Sequence, residues 1–139
     1  MSTPATIAPL LDGLAERIAR RDAPPVVVYT DPNDPGQFVE RLVAALRPLV
    51  PHRNGRGHHS QALMLYRFLA HETQTGYDMA AAAGIERVAC SRAHTALVEA
   101  GLLSWQRIGP RRIYRLTRWG EDWLLAVGRC EVPPARPVE

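Results

Sequence analysis

The fold is decided by the stretch GIERVACSRAHTALVEAGLL, which occupies residues 84–103. A helix from Glu86 to Ala100 would carry small and apolar side chains on one face, at spacings of four, four and three: Ala89, Ala93, Leu97 and Ala100. Gly101 follows at the position where a left-handed glycine often ends a helix. The sequence therefore predicts a helix that packs closely on this face and carries polar residues on its other sides.

The flanking residues predict a β-hairpin after this helix and two shorter helices before it. Strand-like runs over 102–108 and 111–117 are separated by Gly109-Pro110, which is typical of a turn. Ser60 can cap a helix running to about Glu72, Asp78 can cap a brief helix over 79–83, and a last helix is expected over about 119–129. This is the order of a winged helix-turn-helix, so a mainly α-helical domain with a small β-hairpin wing is expected over 60–129.

Two segments resemble bacterial winged-helix transcriptional regulators. Residues 97–103, LVEAGLL, are similar to the LxxAGLL ending of their recognition helix, and residues 114–120, YRLTRWG, are similar to the YxLTxxG end of their wing. The resemblance covers 60–129 and lies with the MarR (multiple-antibiotic-resistance regulator) family and the related PadR and ArsR groups. It implies a sequence-specific regulator of transcription that binds double-stranded DNA, with repression by promoter occlusion as the default outcome.

Residues 1–51 are predicted to form a helix-strand-helix extension. Ile7, Leu11, Leu14 and Ile18 line one stripe of a helix over about 8–21, residues 26–30 (VVVYT) are typical of a short buried strand, and a second helix follows with Phe38, Leu42, Leu46 and Val50 on one face. Residues 52–59 contain two glycines and no apolar residue, which predicts a loop. The tail over 130–139 has three prolines and is expected to be flexible.

A homodimer is expected because the chain has more apolar stripes than one small core can bury. One stripe is that of the first helix, and the other is formed by Trp119, Trp123 and Val127. At least one of them is expected to pack across a subunit interface. The regulators lack the insertion over 25–59, and the sequence does not say what role it has.

Positive charge is concentrated in the middle of the chain. All 17 basic residues are arginine; residues 52–118 hold 10 of them against 4 acids, whereas 1–51 hold 5 against 6 and 119–139 hold 2 against 4. No acid occurs between Leu102 and Gly120, where five arginines lie in or beside the hairpin. Such mutual repulsion is offset when phosphates lie nearby, which favours nucleic acid as the partner.

The expected DNA-binding residues lie on the helix from Glu86 and in the wing. Polar side chains of a helix in the major groove can donate to base edges, while arginines of a wing contact the backbone or the minor groove. Arg87, near the amino end of the helix, is expected to read a guanine. The candidates are Arg87, Ser91, Arg92, His94 and Thr95 on the helix and Arg107, Arg111, Arg112 and Arg115 in the wing.

Other functions remain open from the sequence. The hairpin over 102–118 could bind an acidic protein, which would make the domain a protein-interaction module, and plasmid or phage replication and partition proteins use the same fold. Cys90 and His94, four residues apart, could contribute to a metal site or Cys90 to an oxidation switch, but two ligands are not a site and no metal or cofactor is expected. No nucleophile elbow, phosphate loop or HExxH motif is present, so an enzyme is not expected.

The sequence also predicts a cytoplasmic protein without a membrane segment. No run approaches the roughly 20 apolar residues that cross a bilayer, and the first residues do not form a secretory signal. Cys90 and Cys130 are too few for a disulfide framework. A small-molecule effector is not identified by any motif.

Overall fold

The structure, a computed structural model, describes residues 6–23, 31–51 and 56–138. These residues form, in order, α1 (Ala8–Asp22), α2 (Pro35–Leu46), α3 (Arg56–Arg67), α4 (Gly76–Ala83), α5 (Arg87–Glu99), β1 (Leu103–Ile108), β2 (Arg111–Leu116) and α6 (Arg118–Gly128). The two strands pair in antiparallel fashion. The predicted fold class is confirmed: the chain is mainly helical, and the elements from α3 to α6 have the order of a winged helix.

One core joins α2 to the winged helix. Its most buried side chains come from α2, α3, α4, α5 and the segment that leads into β1, and they include Leu42, Leu46, Met64, Leu65, Met79, Leu97 and Leu102. α2 packs on α3 and α6. The second helix of the predicted extension therefore belongs to the core of the domain that follows it.

Arg41 of α2 reinforces this packing. Its side chain is buried and donates hydrogen bonds to the backbone oxygens of Val127 (3.2 Å) and Gly128 (3.3 Å) at the end of α6, and to that of Pro32 (2.8 Å). These bonds tie α2 to two carbonyl groups in the last turn of α6, where helix ends leave acceptors without intrahelical partners, and to the segment before α2. Arg41 is thus a structural residue.

The predicted loop over 52–59 is wrong for residues 56–59, which form the first turn of α3. His58 in that turn is buried, and its Nε2 donates to the backbone oxygen of Val50. This bond ties the start of α3 to the end of the α2 region, a contact that glycine and histidine content does not reveal. Residues 52–55 and the predicted strand over 26–30 lie outside the described residues.

The two predicted apolar stripes differ in their surroundings. Trp119, Trp123 and Val127 are buried in the core. α1 buries none of its residues, and Leu11, Leu14 and Ile18 are 54%, 44% and 40% exposed. The stripe of α1 is therefore the one that has no partner within the described residues of one chain.

The wing is attached to the helices at two points. Gln74, just before α4, and Tyr114 of β2 exchange backbone hydrogen bonds of 3.0 and 2.8 Å, which fixes the wing beside the amino end of α4. At the other end, the Thr117 hydroxyl donates to the Gly101 oxygen (2.6 Å) and accepts from the Gly120 N–H (2.9 Å) at the start of α6. A Cβ on Gly120 would lie 2.2 Å from the Leu102 oxygen. The LTxxG pattern is therefore a close contact between α6 and the entrance to the wing.

The tail is irregular but attached. The Trp119 indole donates to the Pro134 oxygen (2.9 Å), and Arg136 donates to the oxygen of Glu99, the last residue of α5 (3.0 Å). These bonds hold the tail against two helices, which its proline content does not predict. Among the described residues, no helix is long and apolar enough to span a membrane.

Candidate nucleic-acid interface

The buried face of α5 agrees with the prediction at Ala93, Leu97 and Ala100 and differs from it at Ala89, Cys90 and His94. Its buried residues are Cys90, Ala93, His94 and Leu97, and Ala89 is exposed. The Cys90 thiol contacts the Gly76 oxygen at 3.6 Å, and the His94 ring packs on the Tyr114 ring with centroids 4.6 Å apart. Placing His94 among the residues that face outward is therefore wrong, because Tyr114 of the wing covers it.

Four of the five candidate side chains on α5 are exposed. These are Arg87, Ser91, Arg92 and Thr95. Sequence reasoning missed Val88, which is 67% exposed in the first turn of α5. The signal was an apolar side chain among polar ones near the amino end of the recognition helix, where a methyl group can contact thymine.

Arg87 differs from Arg92 in its contacts. Its Nη1 donates to the Tyr77 hydroxyl (2.8 Å), and its guanidinium lies 4.2 Å from the centre of the Tyr77 ring. Tyr77 belongs to the first turn of α4. Arg87 is therefore held on the side of α5 that faces α4 and the wing, whereas Arg92 lies on the outward side.

The register of the wing divides its four candidate arginines into two sets. Arg107 lies directly opposite Arg112, on the face that Leu103 and Tyr114 pack toward the core. Arg111 is opposite Ile108 and Arg115 is opposite Ser104, on the other face. The Arg112 guanidinium lies 4.1 Å from the centre of the Trp105 ring.

A cleft of about 460 Å³ separates the wing from the helices. We name it the arginine cleft. It is formed by the start of α4, one side of α5 and the wing, and no acidic residue lines it. Its lining residues are Thr75, Gly76, Tyr77, Arg87, Cys90, Ser91, His94, Arg107, Pro110, Arg111, Arg112 and Tyr114.

Two titratable groups in the cleft have shifted pKa values. Burial lowers the pKa of His94, and the positive charge of Arg112 lowers it further, so the imidazole is neutral at neutral pH. Burial raises the pKa of the Cys90 thiol, and Arg87 opposes this shift. Among the described residues, no three His, Cys, Asp or Glu side chains come together in a way that could hold a metal ion.

The described elements from α3 to α6, with a two-stranded wing beside α5, define a winged-helix protein. No protein-family model and no curated protein matches the chain. Among solved structures, it is similar to a MarR family transcriptional regulator from Silicibacter pomeroyi DSS, with 20% identity over 93% of this chain and 73% of that chain and a TM-score of 0.49.

It is also similar to a possible transcriptional regulatory protein (fragment 1–100) from Mycobacterium bovis. Here the identity is 26%, the similarity covers 72% of this chain and 92% of that chain, and the TM-score is 0.43. Both TM-scores are below 0.5, so the assignment of a winged helix rests on this chain's own order of elements.

Proposed function

We propose that the protein binds double-stranded DNA in a sequence-specific way and regulates transcription. The observation that carries this proposal is the surface shared by α5 and the wing. It presents Arg87, Arg92 and four arginines of the wing, and no acid occurs in the chain between Leu102 and Gly120. A surface of this kind attracts a phosphate backbone, and one exposed helix beside it fits the major groove.

Base recognition is assigned to the outward face of α5. Val88, Ser91, Arg92 and Thr95 are exposed there, and they offer a methyl contact, two hydroxyl groups and one guanidinium. An arginine that bonds the O6 and N7 atoms of guanine contributes about 1–3 kcal/mol of discrimination. Arg92 is the residue best placed for this role, because Arg87 is held by Tyr77 at the cleft.

Backbone contacts are assigned to the wing. Arg111 lies beside the turn and Arg115 lies toward the other end of β2, both on the face opposite that of Arg107 and Arg112. Arg107, Arg111 and Arg112 line the cleft. Contacts with phosphates fix the position of a protein on the duplex without reading sequence. The wing therefore supplies affinity, and α5 supplies specificity.

We further propose that the protein acts as a homodimer and represses transcription by covering a promoter. The exposed stripe of α1 supports the dimer, since Leu11, Leu14 and Ile18 lie together on one side of a helix that buries no residue against the described part of its own chain. A second copy of α1 is an apolar partner of matching shape and length. Two recognition helices would then read two half-sites.

Selection of duplexes from a random pool tests the proposed function. Enrichment of one motif, bound more weakly as salt concentration rises, is the expected result. If no sequence is enriched and duplexes bind no better than an acidic protein does, the wing is a protein-binding surface and the proposal is wrong.

A further inference from the structure

The arginine cleft brings four positive side chains together without a carboxylate. Arg87, Arg107, Arg111 and Arg112 line it, no acid does, and none of the four makes an ion pair with the described residues. Arg107 and Arg112 are direct cross-strand neighbours. Like charges in that arrangement are destabilising unless an anion lies between or beside them.

Two of these guanidinium groups are already held in place. Tyr77 binds Arg87 by stacking at 4.2 Å and by a hydrogen bond of 2.8 Å, and Trp105 stacks on Arg112 at 4.1 Å. A side chain that is held before binding loses less conformational freedom when a ligand arrives. The cleft is therefore arranged to receive an anion from two opposite walls, α5 and the wing.

His94 gives an independent indication of a ligand. Its side chain lines the cleft and is 8% exposed, and its Nδ1 is buried without a hydrogen-bond partner. Buried polar atoms in proteins are nearly always paired, so an orphaned ring nitrogen at a cleft of arginines needs an explanation. The charged or titratable groups that line the cleft with His94 are Arg87 and Cys90 on α5, Tyr77 on α4, and Arg107, Arg111, Arg112 and Tyr114 on the wing.

We propose that the arginine cleft is a phosphate-binding site. Guanidinium groups bind carboxylate and phosphate equally well as forks, but the oxygens of a phosphate can serve groups on opposite walls at the same time. Gly76 and Tyr77, in the first turn of α4, also line the cleft. The phosphate can belong to the DNA backbone, in which case the inference rests on the proposed function, or to a free phosphate compound.

A phosphate in the cleft would change the protonation of His94. Burial and Arg112 keep the pKa of His94 low while the cleft is empty. An anion offsets the charge of Arg112 and favours the imidazolium, so it raises that pKa. Binding is then accompanied by proton uptake, and it becomes tighter as the pH falls.

Calorimetric titration of the full chain with sodium pyrophosphate tests the site. We expect binding that weakens roughly tenfold or more in the Arg107→Gln/Arg112→Gln variant. The matched control Arg20→Gln/Arg47→Gln removes the same charge from exposed positions on α1 and at the end of α2, and we expect it to bind like the wild type. No measurable binding, or equal losses in the two variants, would overturn the proposal.

The role of His94 is tested separately. Pyrophosphate itself titrates, so the pH effect is the difference between the wild type and His94→Gln, and we expect the wild type to gain more affinity as the pH falls. The ring resonances of His94 in the wild type supply a second readout if the variant does not fold, and their pKa should rise when pyrophosphate is added. An unchanged pKa of His94 would show that His94 does not take part in the phosphate site.

Competition with a labelled duplex distinguishes the two sources of phosphate. If pyrophosphate displaces the duplex, the cleft holds a backbone phosphate; if it binds without displacement, the site serves a free phosphate compound, and both results support the site. Binding of a duplex without any binding of pyrophosphate overturns the phosphate site and leaves the proposed function standing. Binding of pyrophosphate without any binding of a duplex supports the phosphate site and overturns the proposed function.

Discussion

Arg92 and Arg87 lie five residues apart on α5 and are expected to act differently. Arg92 is exposed on the outward face, whereas Arg87 is bound to Tyr77 at the arginine cleft. Arg92→Ala should therefore relax base preference at one position of each half-site, at a cost of about 1–3 kcal/mol for the preferred base. Arg87→Ala should lower the affinity for all duplexes by a similar factor, whatever their sequence.

Random-pool selection with each variant measures this difference. If Arg87→Ala changes the preferred base and Arg92→Ala does not, α5 enters the groove with its cleft side first. The assignment of bases to the outward face would then be wrong.

Gly120 is the glycine at which we expect an added methyl group to destabilise the fold most. A Cβ there would lie 2.2 Å from the Leu102 backbone oxygen, and neither α6 nor the entrance to the wing can move without breaking the Thr117 contacts. We expect Gly120→Ala to lower the free energy of unfolding by about 3 kcal/mol, the upper part of the usual range for overpacking. Urea unfolding measures the loss.

Gly13→Ala is the matched control for this substitution. Gly13 lies in α1 with no atom within 4 Å of the added Cβ, and alanine favours a helix by about 1 kcal/mol over glycine. No loss of stability is expected there. Equal changes in the free energy of unfolding for the two substitutions would show that the close contact at Gly120 does not require glycine.

Sequence reasoning predicted the exposure of most candidate residues on α5 but misplaced His94. Arg92, Ser91 and Thr95 are exposed as expected, because polar side chains in a helix of this pattern avoid the core. His94 was misplaced because its partner, Tyr114, lies 20 residues further along the chain. The tertiary contact with Tyr114 selects the buried face, and local periodicity contains no information about it.

At the scale of the elements, the wing is expected to set the salt dependence of DNA binding. Replacing Arg111 and Arg112 by Ala should lower the affinity for specific and non-specific duplexes together. It should also reduce the slope of log K against log salt concentration by up to about 2, since each phosphate contact contributes about 0.9. The double variant Arg20→Ala/Arg47→Ala has the same net charge and should leave the slope nearly unchanged. An identical slope in all three proteins would place the wing outside the interface.

The cap of α4 is expected to make the stability of the fold depend on pH in the acidic range. The Thr75 N–H donates to Asp78 (2.9 Å) and the Asp78 N–H donates to the Thr75 hydroxyl (3.2 Å), and the bond from the Thr75 backbone is the main reason why the pKa of Asp78 is lowered below 3.8. A carboxyl group with a lowered pKa stabilises the fold above its unfolded-state pKa. That contribution is lost as the pH falls through the lower, folded-state value.

Asp78→Asn keeps an acceptor at this position and removes the titration. We expect the free energy of unfolding to fall more steeply in the wild type than in Asp78→Asn as the pH is lowered from about 4. Chemical unfolding at a series of acidic pH values measures both curves. Parallel curves would mean that the charge of Asp78 does not stabilise α4.

The elements that sequence reasoning placed well are those with local signals. The Gly109-Pro110 turn fixes the hairpin, and Gly101 marks the end of α5. The start of α3 was missed because it is stabilised by a contact between His58 and Val50, which lies in the segment after α2. The pairing of Gln74 with Tyr114 was missed for the same reason, since the partners are 40 residues apart.

At the scale of the whole molecule, the exposed stripe of α1 predicts self-association. Light scattering should give about twice the chain mass of 15.4 kDa at micromolar concentration. Leu11→Glu/Leu14→Glu should produce a monomer, because two charges cannot be buried in an apolar interface without partners. A wild-type monomer under these conditions would contradict the dimer.

Val132→Glu/Val138→Glu is the matched control for that experiment, because it adds the same two charges to exposed side chains of the tail. Val132 is 92% exposed in the tail, so the same change of an apolar side chain to glutamate adds charge without touching α1. It should leave the mass unchanged. If the control also dissociates the assembly, the tail takes part in the contact.

The different surroundings of the two cysteines make the protein suitable for site-selective labelling. Cys90 is 1% exposed and its pKa is raised by burial, so a maleimide reagent should react with it slowly, whereas Cys130 is exposed at the end of α6. A dye can therefore be attached at Cys130 of the unaltered chain, at a site that does not line the arginine cleft. Slow alkylation of Cys90 would then report opening of the contact between α5 and Gly76 of α4.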